Sequence, residues 1–340
     1  MKNYLVNLIK CPNCNNCLEI ENSLFSCPFC DFKQDTNKIL RYVDGKYHEN
    51  WGLQWNKFSK VQLDSYNGTN ESESRLLLQT KLQPKDFKDK VVLEVGSGNG
   101  RFTEILLKYG AKVITVDYSI AINANKNNNE KFEDVIFLQA DLFKLPVSFK
   151  SFDIVICFGV IQHTGNNFKA INELLKFPSS KGLLAMDIYS NSFKFYNPWI
   201  YIIRPIFLLL KLSQEKKFSL ISKFVKFIFP FQFWILSKIH NKKGILKIIK
   251  YIINRSPNSV YGINLCLLNK ISKDLALEWS IMDTFDSYAA THDHPVSKNK
   301  WKLMLSKLSN ENKFKILFLG ESGQGNYAVL EKNAFETSSR

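Results

Sequence analysis

Four cysteines near the start of the chain form two matched pairs. Cys11 and Cys14 flank Pro12 and Asn13, and Cys27 and Cys30 flank Pro28 and Phe29. A Cys-x-x-Cys pair on a tight turn aims both sulfurs at one ion. Two such pairs about a dozen residues apart suit a tetrahedral four-thiolate zinc site. Such a site is closed, so the expected zinc is structural rather than catalytic. Cys17 forms a second Cys-x-x-Cys with Cys14, and the choice of Cys11 rests on the Cys-Pro-x-Cys form common to both knuckles. Residues 18–25 between the pairs suit a short hairpin. A unit with so little core takes most of its folding energy from the metal. The competing reading is a set of reduced structural cysteines without metal.

A second group of residues is built around glycine. Glu94, Gly96, Ser97, Gly98, Asn99 and Gly100 follow the apolar run Val91–Val95 and precede a helical pattern at 102–109. Glycines without Cβ atoms let a ligand approach the backbone closely. Asp117 ends the next apolar run about 20 residues on, where an acid can take both hydroxyls of a ribose. Asp141 and Leu142 follow the third run. All of these fall at the C-terminal ends of expected strands, where open α/β sheets bind ligands.

The elements that must position these groups alternate. Strand-like runs at 91–95, 112–116, 135–139, 152–158 and 182–189 are separated by helical patterns. Alternation of this kind predicts a parallel sheet covered on both faces. Runs at 314–319 and 326–331, joined by a Gly-rich link, predict an antiparallel hairpin.

These motifs together resemble those of class I S-adenosylmethionine-dependent methyltransferases. The Gly-x-Gly-x-Gly turn, Asp117, the Ala140, Asp141 and Leu142 run, and 152–155 (Phe, Asp, Ile, Val) stand in that family's order. The resemblance implies a Rossmann-like α/β fold with a seven-stranded, mostly parallel sheet and a terminal antiparallel hairpin. It places Glu94, Gly96, Ser97, Gly98, Asn99, Gly100, Asp117, Tyr118, Asp141, Leu142 and Phe158 around S-adenosylmethionine. Of these, Asp117 would meet the ribose and Asp141 the adenine amino group, with Leu142 beside the ring. Residues 51–58, 62–65, 159–164, 283–288 and 291–294 further resemble bacterial methyltransferases that carry an N-terminal zinc ribbon. Gln162 stands where that group has the first of two histidines, and the acid-proline that usually follows is Gly165 and Asn166 here. His163 would then lie past the fourth strand near the transferred methyl. It is the candidate acceptor contact or general base, weighed against a role in local packing. His292 and His294 flank Asp293 in a loop expected over the site. Trp51, Trp55 and Phe58 share one helix face and read as core rather than substrate platform, and Gln54 and Gln62 are weaker ligand candidates.

The resulting plan has a zinc ribbon at 1–45, a helical extension at 46–90, a methyltransferase domain at 91–189 and 281–335, and a helical cap insertion at 190–280. Pro198, Pro205 and Pro230 are expected to start or break its helices. The chain has 340 residues and a net charge of +15. Thirteen basic residues and one acid fall between 190 and 260, so +12 of that charge belongs to the insertion. Its charge suits an anionic membrane surface, an acidic small acceptor or RNA, or is simply a solvated lysine face over an apolar core. The uncharged runs in it are too short for a spanning helix. Residues 1–10 have no apolar core of a secretory signal, so the expected setting is cytoplasmic, with the inner membrane face as one site of association. Hydrophobic residues make up 45% of the chain, enough to exclude a mainly disordered polymer.

The expected activity is methyl transfer from S-adenosylmethionine to a small-molecule, glycan or lipid-linked acceptor, at oxygen. The alternatives are a ribosomal RNA methyltransferase, which a zinc ribbon before this fold also resembles, and a cofactor-binding scaffold without turnover. The Asn-Pro-Pro-Tyr and Asp-Pro-Pro-Tyr tetrapeptides of amino methylation are absent, so nucleic acid is not the expected partner. The oligomeric state is open.

Overall fold

A computed structural model describes residues 2–43, 49–192, 197–240, 246–290, 292–323 and 325–334. Eleven strands are present among them. Three form a small antiparallel sheet in the order β1 (Glu19–Glu21), β2 (Leu24–Ser26), β3 (Lys33–Asp35). The other eight are β4 (Leu40–Arg41), β5 (Val91–Val95), β6 (Lys112–Asp117), β7 (Val135–Gln139), β8 (Phe152–Cys157), β9 (Pro178–Ile188), β10 (Phe314–Ser322) and β11 (Gly325–Lys332). They make one sheet in the order β10-β11-β9-β8-β5-β6-β7-β4, parallel throughout except where β11 runs against β9 and β10.

This is the expected Rossmann-like sheet of seven strands, with the terminal hairpin longer and its turn tighter than the sequence suggested. The central strands are apolar runs because both faces are covered. All five residues of β5 and all five of β7 are buried. The chain moves outward from β5 to β6 and β7 on one side, then returns to add β8 and β9 on the other. The loops after β5 and β8 therefore part at a topological switch point, which opens a crevice at the strand ends.

An eighth strand was not anticipated. β4 adds to the β7 edge in parallel, pairing Leu40 with Leu138 and Arg41 with Gln139. Two residues are too short to leave a periodic signal. The ribbon is also joined to the sheet elsewhere. Ile9 bridges to Val147, and Leu5, Val6, Leu18 and Phe25 share one apolar core with Leu138, Val147 and Phe152.

The chain divides into two compact units. One takes in Met1–His48, Glu73–Phe195 and His292–Arg340, and the other Glu49–Ser72 and Tyr196–Thr291. Residues 49–72, expected with the N-terminal extension, thus group with the insertion. So do 281–290, because helix Lys273–Ala289 runs unbroken across that expected boundary. In the second unit this helix packs against helix Gln214–Ile239 around Ile221, Val225, Phe229, Met282 and Phe285. Phe58 joins the same core and packs at a tilt against Phe218, as its core reading expected.

Two expectations about the insertion are corrected. Pro205 and Pro230 lie inside helices Pro198–Leu209 and Gln214–Ile239 rather than breaking them. Both sit on the exposed side, where water can take the carbonyl that proline leaves unbonded. Pro198 does begin its helix, with Asn197 as the cap. Helix Gln214–Ile239 is also long and apolar enough to cross a membrane by length and composition, where no such segment was expected. The lysines that shorten its uncharged runs are too few to lower the whole.

Candidate functional site

The turn after β5 is shaped by three left-handed glycines, with φ of +78° at Gly96, +55° at Gly98 and +83° at Gly100. At Gly96 a Cβ would overlap the Val160 side chain, and at Gly100 it would overlap the Asn125 amide. Only glycine fits either position. Gly100 then caps helix Arg101–Lys108.

A buried polar layer holds this turn from below. Thr103 and Thr115 donate their hydroxyls to one oxygen of Glu94, Thr115 at 3.1 Å. The Asn125 amide donates to both threonine hydroxyls at 2.9 Å. Asn129 donates to the Gly100 carbonyl at 3.0 Å and to Asn125 at 2.9 Å. The second Glu94 oxygen and the Ser97 hydroxyl are buried and unpaired within the protein. Burial pushes the Glu94 carboxyl up to about 7, and the threonine hydrogen bonds only partly oppose it.

Asp117, at the end of β6, ties this turn to the next strand. One oxygen accepts the Gly98 N–H at 2.8 Å, and the other accepts the Ser119 N–H at 2.9 Å and hydroxyl at 2.7 Å. Burial raises its pKa, against the pull of those hydrogen bonds. After β7, Asp141 accepts the Phe143 N–H at 2.9 Å and caps the single turn Leu142–Lys144. Leu142 is buried, and the Tyr118 carbonyl accepts from the Gln139 amide at 3.1 Å. Phe158, just past β8, lies edge-on to Phe102 at 5.4 Å. Parallel pairing of β5 with β6 and β8, and of β6 with β7, brings the glycine turn, Asp117, Asp141 and Phe158 to one edge of the sheet.

His163 sits in the short turn Ile161–His163. Its Nδ1 is 2.8 Å from the His292 carbonyl oxygen. A carbonyl can only accept, so Nδ1 carries the proton and the neutral ring keeps its lone pair on Nε2. Tyr189 packs edge-on against the imidazole at 5.5 Å. Residues 292–296 strap this corner. The His294 N–H donates to the Gln162 carbonyl at 2.9 Å, and Asn167 donates to the His294 carbonyl at 2.7 Å. His292 and His294 stack on each other at 6.1 Å. Among the described residues the four-cysteine cluster is the one group of three or more such side chains close enough together to hold a metal.

Two features had no counterpart in the sequence reading. Asn125 and Asn129 lie in an Asn-rich helix with no pattern to mark them. Arg75 and Asp187, 2.6 Å apart, form a partly buried ion pair, and Asp187 also accepts the Gly159 N–H at 2.6 Å. An acid at the end of the fifth strand was the available signal. Gln162 is fully buried, and both atoms of its amide are unpaired within the protein. Gln54 and Gln62 are buried in the second unit, and the side chain of Trp51 lies outside the described residues.

The sulfurs of Cys11, Cys14, Cys27 and Cys30 all lie within 4.8 Å of one another, with Cys14 and Cys27 at 3.3 Å and Cys11 and Cys30 at 3.5 Å. A tetrahedron of Zn–S bonds near 2.3 Å has edges of about 3.8 Å, so the four sulfurs fit one ion. The Asn16 backbone, and then Cys27, hold the Cys14 thiol down, while burial pushes the Cys27 thiol up. Cys17 stands apart and accepts from the Lys10 ammonium at 3.3 Å.

Comparison with known proteins agrees with this geometry. Residues 93–186 match the family described as Methyltransferase domain. The sheet order and the glycine turn over these residues agree with that match. The chain is 30% identical over 147 residues to a ubiquinone biosynthesis O-methyltransferase of Coxiella burnetii, covering 41% of this chain and 63% of that protein. It is 33% identical over 110 residues to a tRNA U34 carboxymethyltransferase of Ruthia magnifica, covering 30% of this chain and 34% of that one. The curated relatives are thus matched over a third to two thirds of their length. A solved S-adenosylmethionine-dependent methyltransferase from Aquifex aeolicus overlaps with a TM-score of 0.40 at 14% identity, over 84% of this chain and 98% of that one.

Proposed function

We propose that the chain transfers the methyl group of S-adenosylmethionine to a hydroxyl of a small-molecule or glycan-type acceptor. The observation that carries this reading is the glycine turn hydrogen-bonded to Asp117 at the sheet edge shared with Asp141. The buried, unpaired oxygens of Glu94 and Ser97 beside that turn support a polar ligand there. S-adenosylmethionine, when bound, supplies a methyl already activated by its sulfonium. The chain's part is to bind, align and manage a proton. Asp117 and Asp141 would hold the ribose and adenine ends, and the edge formed by Leu142 and Phe158 would keep water from the ring.

Oxygen as the acceptor atom is supported by the name of the Coxiella burnetii relative and by His163. With Nδ1 committed to the His292 carbonyl, Nε2 can take the proton an acceptor hydroxyl must lose. The ribbon would hold one zinc ion on Cys11, Cys14, Cys27 and Cys30. Four thiolates leave that ion no open position, so its role is to fold the ribbon. RNA methylation is the second reading, favoured by the tRNA-directed name of the Ruthia magnifica relative.

Calorimetry with S-adenosylmethionine, followed by transfer of labelled methyl to cell-envelope extract or to RNA, tests these readings. We expect binding, and label in alkali-stable, ribonuclease-resistant product. Label in RNA would favour the second reading, and no cofactor binding would refute both. His163→Asn is expected to lower kcat roughly 10²- to 10⁴-fold with cofactor binding unchanged. An unaltered kcat would remove His163 as the base.

A further inference from the structure

The second unit has an outer surface that its own fold leaves uncovered. In helix Gln214–Ile239 one stripe, including Ile221, Val225, Phe229 and Leu236, is buried in that unit's core. A different stripe, Leu220, Phe224, Phe227, Phe231 and Trp234, recurs every three or four residues and is exposed, Phe227 to 74% and Trp234 to 64%. Exposed Lys216 and Lys238 continue that stripe at its two ends, and exposed Lys223 and Lys226 flank it. The neighbouring helices repeat the pattern. Helix Pro198–Leu209 buries none of its residues and leaves Ile202 and Leu209 bare, and helix Leu246–Ile253 exposes Ile248 and Ile252. Exposed apolar surface on this scale marks a binding face.

We propose that this face seats on an anionic lipid bilayer, with helix Gln214–Ile239 lying in the interface rather than crossing it. Charge complementarity selects the occupant. Between residues 190 and 260 only Glu215 opposes thirteen basic residues. Aromatic and aliphatic side chains bounded by lysines suit the boundary between acyl chains and anionic headgroups. A second copy would set lysine rows against lysine rows. RNA would pair with the lysines but leave the phenylalanines, leucines and tryptophan unexplained. Crossing would require the buried stripe to leave its own core. It would also carry Lys217 and Gln232 into hydrocarbon, and Gln232 is hydrogen-bonded to Ser256 at 2.9 Å and Asn258 at 2.8 Å. The inference rests on the second unit alone and does not depend on the reaction assigned to the sheet.

The test is flotation of the full zinc-loaded chain with vesicles of phosphatidylcholine alone or mixed with phosphatidylglycerol. We expect retention on the mixed vesicles, about tenfold weaker binding to phosphatidylcholine, and release at high salt. Two sets of exposed substitutions should each weaken binding about tenfold or more: F227S with F231S and W234S, and K216E with K223E and K238E. Unchanged circular dichroism melts would show that both variants fold. No binding to mixed vesicles overturns the proposal, as does binding by both variant sets that is undiminished from that of the parent chain. Resistance to high salt and to alkaline carbonate would overturn the in-plane geometry. Self-association lost in the aromatic variant without vesicle binding, or RNA capture without vesicle binding, would likewise overturn it in favour of those partners.

Discussion

A methyl group added at residue 96 would have nowhere to go. The backbone is left-handed there and Val160 fills the space beyond, so Gly96→Ala combines strain with overlap. It should lower the melting temperature by roughly 5–15 °C and abolish measurable cofactor binding. Glu94 makes a prediction about pH. Its carboxyl is held near 7 when folded and near 4.5 when unfolded, so between these values the native state holds more protons. The ligand-free protein should therefore lose about 3 kcal/mol of stability as pH rises from 4.5 to 7 through this group, a loss that Glu94→Gln removes. Melts of both proteins at pH 5 and pH 8 would check this. Gln162→Leu replaces a buried unpaired amide and should raise stability by about 1–3 kcal/mol. If that amide meets the acceptor, the same change raises KM for the acceptor and leaves cofactor binding alone, which steady-state kinetics would separate. The glycines and both aspartates were legible because each answers to its own strand end. Arg75 with Asp187 was not, because the two residues lie 112 positions apart and meet only once the sheet exists.

At the scale of elements, periodicity placed the central strands and the long insertion helices but misjudged proline. A proline on the wet side of a helix sacrifices a bond that water replaces, and nothing local in the sequence says which side will be wet. The four-cysteine cluster was legible because matched Cys-x-x-Cys pairs are the spacing that gathers four sulfurs at one point. Its attachment was not legible, because Leu5, Leu18 and Phe25 look like a small core of their own. Chelation should therefore lower the melting temperature of the sheet and not the ribbon alone, since the two share apolar contacts. A calorimetric scan with and without chelator would show one shifted main transition. An unshifted sheet transition would mean that the ribbon unfolds independently.

For the whole molecule, composition proved to be a matter of location. The net charge of +15 says little about the sheet, since +12 of it lies in one helical stretch. Two compact units divide the labour: one carries the glycine turn and the four cysteines, and the other carries the basic, apolar surface. The sequence order concealed this division, because the second unit is assembled from 49–72 and 196–291 across the length of the first. The short strand β4 has one further consequence. By pairing with Leu138 and Gln139 it covers the end of what would otherwise be an open row of peptide groups along β7. If the proposed zinc organises the preceding residues, its removal would free that row to pair with another chain, so chelated protein should be prone to form oligomers through strand addition.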